Sequence, residues 1–232
     1  MYKSNLKNHK TVHLALIGLG GTGSALLSHL GSLHAGLQAT GGPKLQVTTF
    51  DPDTVSPANL ARQRFYPADL GKNKALVLTE RVNLCLGTGW QARPEKFSAS
   101  HLHNFNIIVS CVDTRAARAD IAGVLKKENK APYWLDCGNT AKTGQVILGR
   151  LGTALALPSE LHPELIDISL EEDALPSCSA LEAISRQDLM VNPMVAVQAA
   201  DVLWKLLHEG ELKHSARYFD LENGQMVSRP VP

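Results

Sequence analysis

The run TVHLALIG, Thr11 to Gly18, leads directly into GLGGTGS and then into leucines at helical spacing. A short apolar run closed by glycine has the pattern of a strand buried on both faces. Gly18, Gly20 and Gly23 stand in G-x-G-x-x-G register, and each glycine has a physical reason. Gly18 permits a sharp turn, Gly20 lets backbone approach a phosphate, and Gly23 lets the helix pack against the strand. A phosphate would rest at the helix N-terminus, facing unpaired N–H groups and the positive end of the dipole. Gly21, inside the same turn, is assigned with them to nucleotide binding.

The remainder repeats the strand–helix alternation. LQVTTFD reads as a second strand ending in Asp51, KNKALVLTERVNLCL as a helix, FNIIVSCVD as a third strand, and RAARADIAGVLKKEN as the helix behind it. PYWLDCGN and GQVILGRL are further strand candidates. Such alternation implies βαβ units with right-handed crossovers. The expected fold is α/β: a Rossmann-like, doubly wound, mostly parallel sheet with helices on both faces. From about 155 to 177 the pattern dissolves into a proline-rich, acidic stretch, read as a long surface crossover loop. PMVAVQAADVLWKLLHEG restores a helix that stops on glycine. RYFDLENGQMVSRP carries Asn-Gly between two strand-like runs, the signal of a C-terminal hairpin.

Length and charge narrow the function. At 232 residues a single domain spanning 1–232 is expected. With 23 Lys+Arg against 22 Asp+Glu, no broad electrostatic footprint for nucleic acid or an anionic membrane exists. The chain has no apolar run long enough to span a bilayer, and the N-terminal apolar run is too short for a signal peptide. Cys85, Cys111, Cys137 and Cys178 are widely spaced, which suits free thiols in a reducing cytoplasm.

The stretch FDPDTVSPANLARQRF, Phe50 to Phe65, decides what kind of nucleotide chemistry to expect. Asp51 ends a strand where a carboxylate can accept from ribose hydroxyls, and Asp53 fits a turn cap or a second ligand contact. A nicotinamide enzyme breaks no phosphate bond and needs little positive charge here. An enzyme that splits ATP must offset charge building on the leaving phosphates, which requires Arg, Lys and a divalent metal. Asn59, Arg62, Gln63 and Lys74 follow closely, and Asp113 ends the third strand on the rim where α/β sheets bind ligands. A carboxylate there can hold Mg²⁺ with phosphate oxygens and water completing the shell. Arg64 and its neighbours could equally form a solvated loop.

GLGGTGS, DPDTVSPANLARQ, GKNKA and CVDT together resemble, in order and spacing, the adenylating domain of the ThiF/MoeB/HesA superfamily, bacterial relatives of ubiquitin-activating enzymes. The length and the segment PSCSALEAISRQDLMVN look closest to the ThiF-like proteins of PRTRC plasmid systems. The resemblance implies that Mg·ATP and the C-terminal glycine of a small ubiquitin-like protein are bound. The carboxylate would attack the α-phosphate to give an acyl-adenylate and pyrophosphate. In this correspondence Gly20 and Gly23 line the phosphate loop and Asp51 holds the ribose. Arg62 and Lys74, assisted by Asn59 and Gln63, neutralise phosphates, and Asp113 positions magnesium. A homodimer is also implied.

Three features depart from the family. No C-x-x-C pair occurs, so the structural zinc of many relatives is not expected. Residues 1–13 offer lysines but no arginine for a role across a dimer. There is no room for a separate cysteine domain, so any thioester would use a local thiol; Cys178, read as opening a helix, is the candidate, and a buried or incidental cysteine is the alternative reading. Two rival readings stand beside the adenylating enzyme. One is an NAD(P)-dependent oxidoreductase, against which the Asn-Leu-x-Arg-Gln run argues. The other is a nucleotide-binding scaffold that recognises a partner without turnover.

Overall fold

A computed structural model describes residues 1–126, 132–170 and 187–232. Eight of its strands are β2 (Thr11–Ile17), β3 (Lys44–Phe50), β4 (Gln91–Arg93), β5 (Ile107–Ser110), β6 (Tyr133–Asn139), β7 (Thr143–Gly149), β9 (His214–Asp220) and β10 (Gln225–Pro230). They form one central sheet in the order β10-β9-β7-β6-β5-β2-β3-β4. Strands β6, β5, β2, β3 and β4 pair in parallel. Strands β7, β9 and β10 join by antiparallel ladders, so β9 again points with the parallel set. A separate two-stranded sheet pairs β1 (Tyr2–Lys3) with β8 (Glu211–Leu212).

The fold class expected from the sequence is the one observed. Along β2, Val12, Leu14 and Leu16 enter one core, while Ala15 and Ile17 enter the other. This strict alternation places apolar side chains on both faces. On the first face lie α1 (Gly21–Ala39), α2 (Lys74–Leu86) and α4 (Val191–Trp204), whose Leu26, Leu30, Leu78, Val195 and Ala199 are buried there. On the second face α3 (Arg115–Leu125) supplies Ile121, Ala122 and Leu125. Each such leucine contributes about 1.5–3 kcal/mol by leaving water, so the two-sided core fixes the register of every central strand.

Cladding of the second face is incomplete. Part of that face along β2 and β3 is left open. A groove of about 490 Å³ opens there, lined by Thr11, His13, Lys44, Gln46, Arg93 and Phe105 among others. It runs along β2 and β3 from Thr11 and Lys44 to Phe50.

The remaining elements follow their local chemistry. Helix α2 starts at Asn73, whose side chain accepts from the Leu76 N–H, and stops at Gly87 with φ +64°. Helix α4 passes into a π-helical turn, Lys205–Glu209, and ends on Gly210 with φ +71°. The Asn-Gly hairpin forms between β9 and β10, with Asp220 accepting from the backbone N–H groups of Glu222 and Asn223. The crossover stretch, expected as a surface loop from Leu155, begins in the interior. Leu155 and Leu157 are fully buried, and single turns form at Pro158–Leu161 and Pro163–Leu165. Its apolar residues bracket a proline-initiated turn that seats on the sheet, so composition alone misplaces its first part.

Candidate nucleotide site

The site is built around the N-terminus of α1. Gly18 adopts φ +83°, and a side chain there would meet the Cys111 carbonyl oxygen at 2.7 Å. A side chain on Gly23 would lie 1.9 Å from the Gly18 carbonyl oxygen, so this glycine permits the helix to close on the turn. Gly21 is required for another reason: its missing Cβ leaves room for the Asn192 side chain, 2.5 Å from that position. Gly20 alone faces open space, with nothing within 4 Å of where its Cβ would stand. No protein atom demands glycine at this position, which fits a backbone kept bare for a phosphate at a helix N-terminus.

Asp51 follows β3 and braces the turn. Its Oδ2 accepts from the Leu19 N–H at 2.6 Å and its Oδ1 from the Asp53 N–H at 2.9 Å. Burial pushes its pKa above the usual carboxylate value, and these two N–H donors oppose the shift without cancelling it. Asp51 is 4% exposed. Its structural role is therefore to hold the glycine turn.

Asp53 and Lys74 form an ion pair at 3.1 Å, in which Lys74 is the buried partner and Asp53 the exposed one. Asn73 ties this corner together by donating to the backbone carbonyls of Asp51 and Asp53 at 2.9 and 3.0 Å. The resemblance assigns Lys74 to the phosphates together with Arg62; in the structure Lys74 is oriented by Asp53.

The arginine loop crosses the first turn of α1. The Arg64 backbone N–H donates to Ser24 Oγ at 3.1 Å, and Arg81 donates to the Arg64 carbonyl at 2.9 Å. Asn59 uses its side-chain carbonyl to cap its own loop, accepting from the Ser56 N–H at 2.8 Å. Arg62 Nη1 donates to Gln187 Oε1 at 2.5 Å. Arg62 Nε and Gln63 Oε1 are buried without a hydrogen-bond partner among the described residues. Burial lowers the Arg62 pKa from its ordinary value, as desolvation of a cation must. A buried guanidinium N–H with no acceptor is costly unless a ligand oxygen occupies the space.

Asp113 lies exposed between β5 and α3. Its loop is anchored from below. Arg118, almost fully buried, donates through Nη2 to the Val112 carbonyl at 2.6 Å and through Nε to the Asp136 carboxylate at 3.1 Å. Asp136 also accepts from Ser110 Oγ at 2.6 Å, and Ser110 Oγ accepts from Trp134 Nε1 at 2.7 Å. Among the described residues no group of three or more His, Cys, Asp or Glu converges on a possible metal position. One rim carboxylate nevertheless fits a magnesium ion whose other ligands come from a triphosphate and water.

Cys178 lies outside the described residues. Cys137 is buried beside Cys111, whose hydrogen bond and the surrounding burial push the Cys137 thiol well up. A thiol held in that state is not an activated nucleophile, so Cys137 has a packing role.

The structure thus brings Gly18, Gly20, Gly21, Gly23, Asp51, Asp53, Arg62, Gln63 and Lys74 around one helix terminus, with Asp113 on the adjoining strand end. Sequence reasoning missed Asn73, Arg118, Asp136, Gln187 and Asn192. Asn73 could have been recognised from its position just before a helical run. Gln187 carries no local signal, because its partner Arg62 is 125 residues away.

Comparison with known proteins places this geometry. A search of curated sequences finds no match. Among solved structures, PaaA superposes with a TM-score of 0.66 at 17% identity, covering 96% of this chain and 64% of that one. Escherichia coli MccB with ATP gives a TM-score of 0.64 at 17% identity, covering 96% and 64%. The same protein with AMPCPP and MccA gives 0.66 at 17%, covering 97% and 64%. The chain spans just under two thirds of the length of these structures. Among the described residues no helix is long and apolar enough to cross a membrane. The ThiF family model matches residues 1–231, and the chain belongs to the ThiF family.

Proposed function

We propose that residues 1–232 form one adenylation domain that uses Mg·ATP to activate the C-terminal glycine carboxylate of a small ubiquitin-like protein. The carboxylate oxygen attacks the α-phosphorus as the bond to the β-phosphate oxygen breaks. The products are an acyl-adenylate and pyrophosphate. The observation that carries this reading is the pairing of an open Gly20 at a helix N-terminus with Arg62, on the loop that bonds the first turn of that helix, whose Nε is buried with no partner among the described residues. A cationic donor fixed where a triphosphate would lie can stabilise charge on the departing pyrophosphate, an effect worth about 3–4 kcal/mol for a single such donor.

In this reading Asp51 accepts from the ribose, Lys74 and Arg62 contact phosphates, and Asn59 and Gln63 complete the polar wall. Asp113 would hold magnesium, which supplies further charge at the phosphates. Family membership and the solution of MccB with ATP support ATP as the nucleotide. That MccB was also solved with MccA supports a small polypeptide as acceptor. A homodimer, a cytoplasmic location, a PRTRC-system setting and an acyl transfer to Cys178 belong to the same proposal.

The ion pair between Lys74 and Asp53 favours one alternative, a scaffold that binds nucleotide without turnover, because it engages a cation assigned to catalysis. Exchange of labelled pyrophosphate into ATP separates the two. With a Gly-Gly-ending ubiquitin-like protein as acceptor, exchange is expected in wild type, lost in Asp113→Ala and retained in Cys178→Ala. ATP binding with no exchange for any such acceptor would leave the scaffold as the surviving reading.

A further inference from the structure

Gln187 is the junction of four elements around the candidate nucleotide site. Its Oε1 accepts from Arg62 Nη1 at 2.5 Å and from Asn192 Nδ2 at 3.0 Å, while its Nε2 donates to the Thr140 carbonyl at 3.0 Å. Asn192 in turn accepts from Thr22 Oγ1 at 3.0 Å and fills the space left by Gly21. One amide therefore links the arginine loop, the first turn of α1, the turn between β6 and β7, and the start of α4.

The chemistry of that amide is specific. A carboxylate in its place would orient Arg62 equally well but would neutralise it. A neutral carbonyl oxygen holds the guanidinium through one nitrogen and leaves its charge, and its unpartnered Nε, available to an anion. We infer that Gln187 is a positioning residue that aims Arg62 at the nucleotide phosphates without quenching its charge. The inference rests on the nucleotide reading above and adds a residue to it.

The test compares binding of ATP and of adenosine, both with Mg²⁺, by calorimetry or by displacement of a fluorescent nucleotide. Gln187→Glu keeps the acceptor for Arg62 and adds a charge; Gln187→Met removes both hydrogen-bonding ends and adds none. Gln187→Glu is expected to weaken ATP about tenfold, the scale of one charge-assisted contact. Gln187→Met is expected to weaken ATP roughly threefold, as an orientational loss. Both should bind adenosine as wild type does, which shows that the site is folded.

ATP binding by Gln187→Glu at wild-type strength would overturn the inference. So would equal losses for ATP and adenosine, the signature of a merely structural role. Arg62→Met separates the two levels. If it weakens ATP relative to adenosine while the Gln187 variants do not, the positioning role alone fails. If Arg62→Met leaves the preference intact, or if wild type binds no ATP, the nucleotide reading falls and the inference with it.

Discussion

Gly20, Gly21 and Gly23 share one turn, yet alanine at each meets different surroundings. At Gly23 the new carbon would sit against backbone, which cannot move aside, so Gly23→Ala is expected to prevent stable folding. At Gly21 it would strike the end of Asn192, a side chain that can rotate at the expense of its hydrogen bonds to Thr22 and Gln187. At Gly20 it meets nothing, so Gly20→Ala is expected to cost about 1 kcal/mol or less in chemical denaturation. Its ATP affinity should nevertheless fall sharply, and an unchanged affinity would remove the phosphate assignment. The three glycines were legible in the sequence as a set. The particular reason for Gly21 was not, because Asn192 arrives from far along the chain.

Among the elements, the buried strands and long helices were readable because their apolar residues recur with the period of the structure they form. The edge strand β4 and the pair β1–β8 were not, since two or three residues carry no period. The same limit applies to the clamp under β5. Arg118 and Asp136 are separated by 18 residues and stand on different elements, so their pairing appears only in three dimensions. Arg118→Met should leave the Asp136 carboxylate buried and unpaired, costing about 3–5 kcal/mol in an unfolding titration. Helix α4 is tied to β9 by a different contact. Lys205 donates to Asp201 at 2.6 Å, Arg217 reaches the same oxygen, and Arg217 also donates to Gln198. Burial works to raise the Asp201 pKa, but the hydrogen bonds from Lys205 and Arg217 outweigh it and hold the carboxyl below its ordinary value. A depressed folded pKa means that this stabilisation is present above the unfolded value and is lost as pH falls through the folded one. Asp201→Asn should therefore be less stable than wild type at neutral pH, with the gap closing in acid. A gap that stayed constant with pH would show that the pair contributes nothing.

At the scale of the whole molecule, the sheet is protected from its centre outward. Strands β2, β5 and β6 are flanked by neighbours on both sides and carry core residues on both faces, whereas β4 and β10 are edges. Amide exchange followed by mass spectrometry should find the centre opening only with global unfolding and the edges exchanging far sooner. Uniform protection from β10 to β4 would contradict this layering. The open groove along β2 and β3 was not foreseeable, because nothing local in a strand reveals which part of its face other elements leave uncovered.

The arginine loop is stapled on both sides of the Arg64 peptide before any ligand arrives, by Ser24 to its amide and by Arg81 to its carbonyl. Its disorder has thus been given up during folding and need not be surrendered again at the encounter with nucleotide. Capture of the triphosphate should then approach a key entering a finished lock, with a fast association step whose rate depends on charge more than on rearrangement.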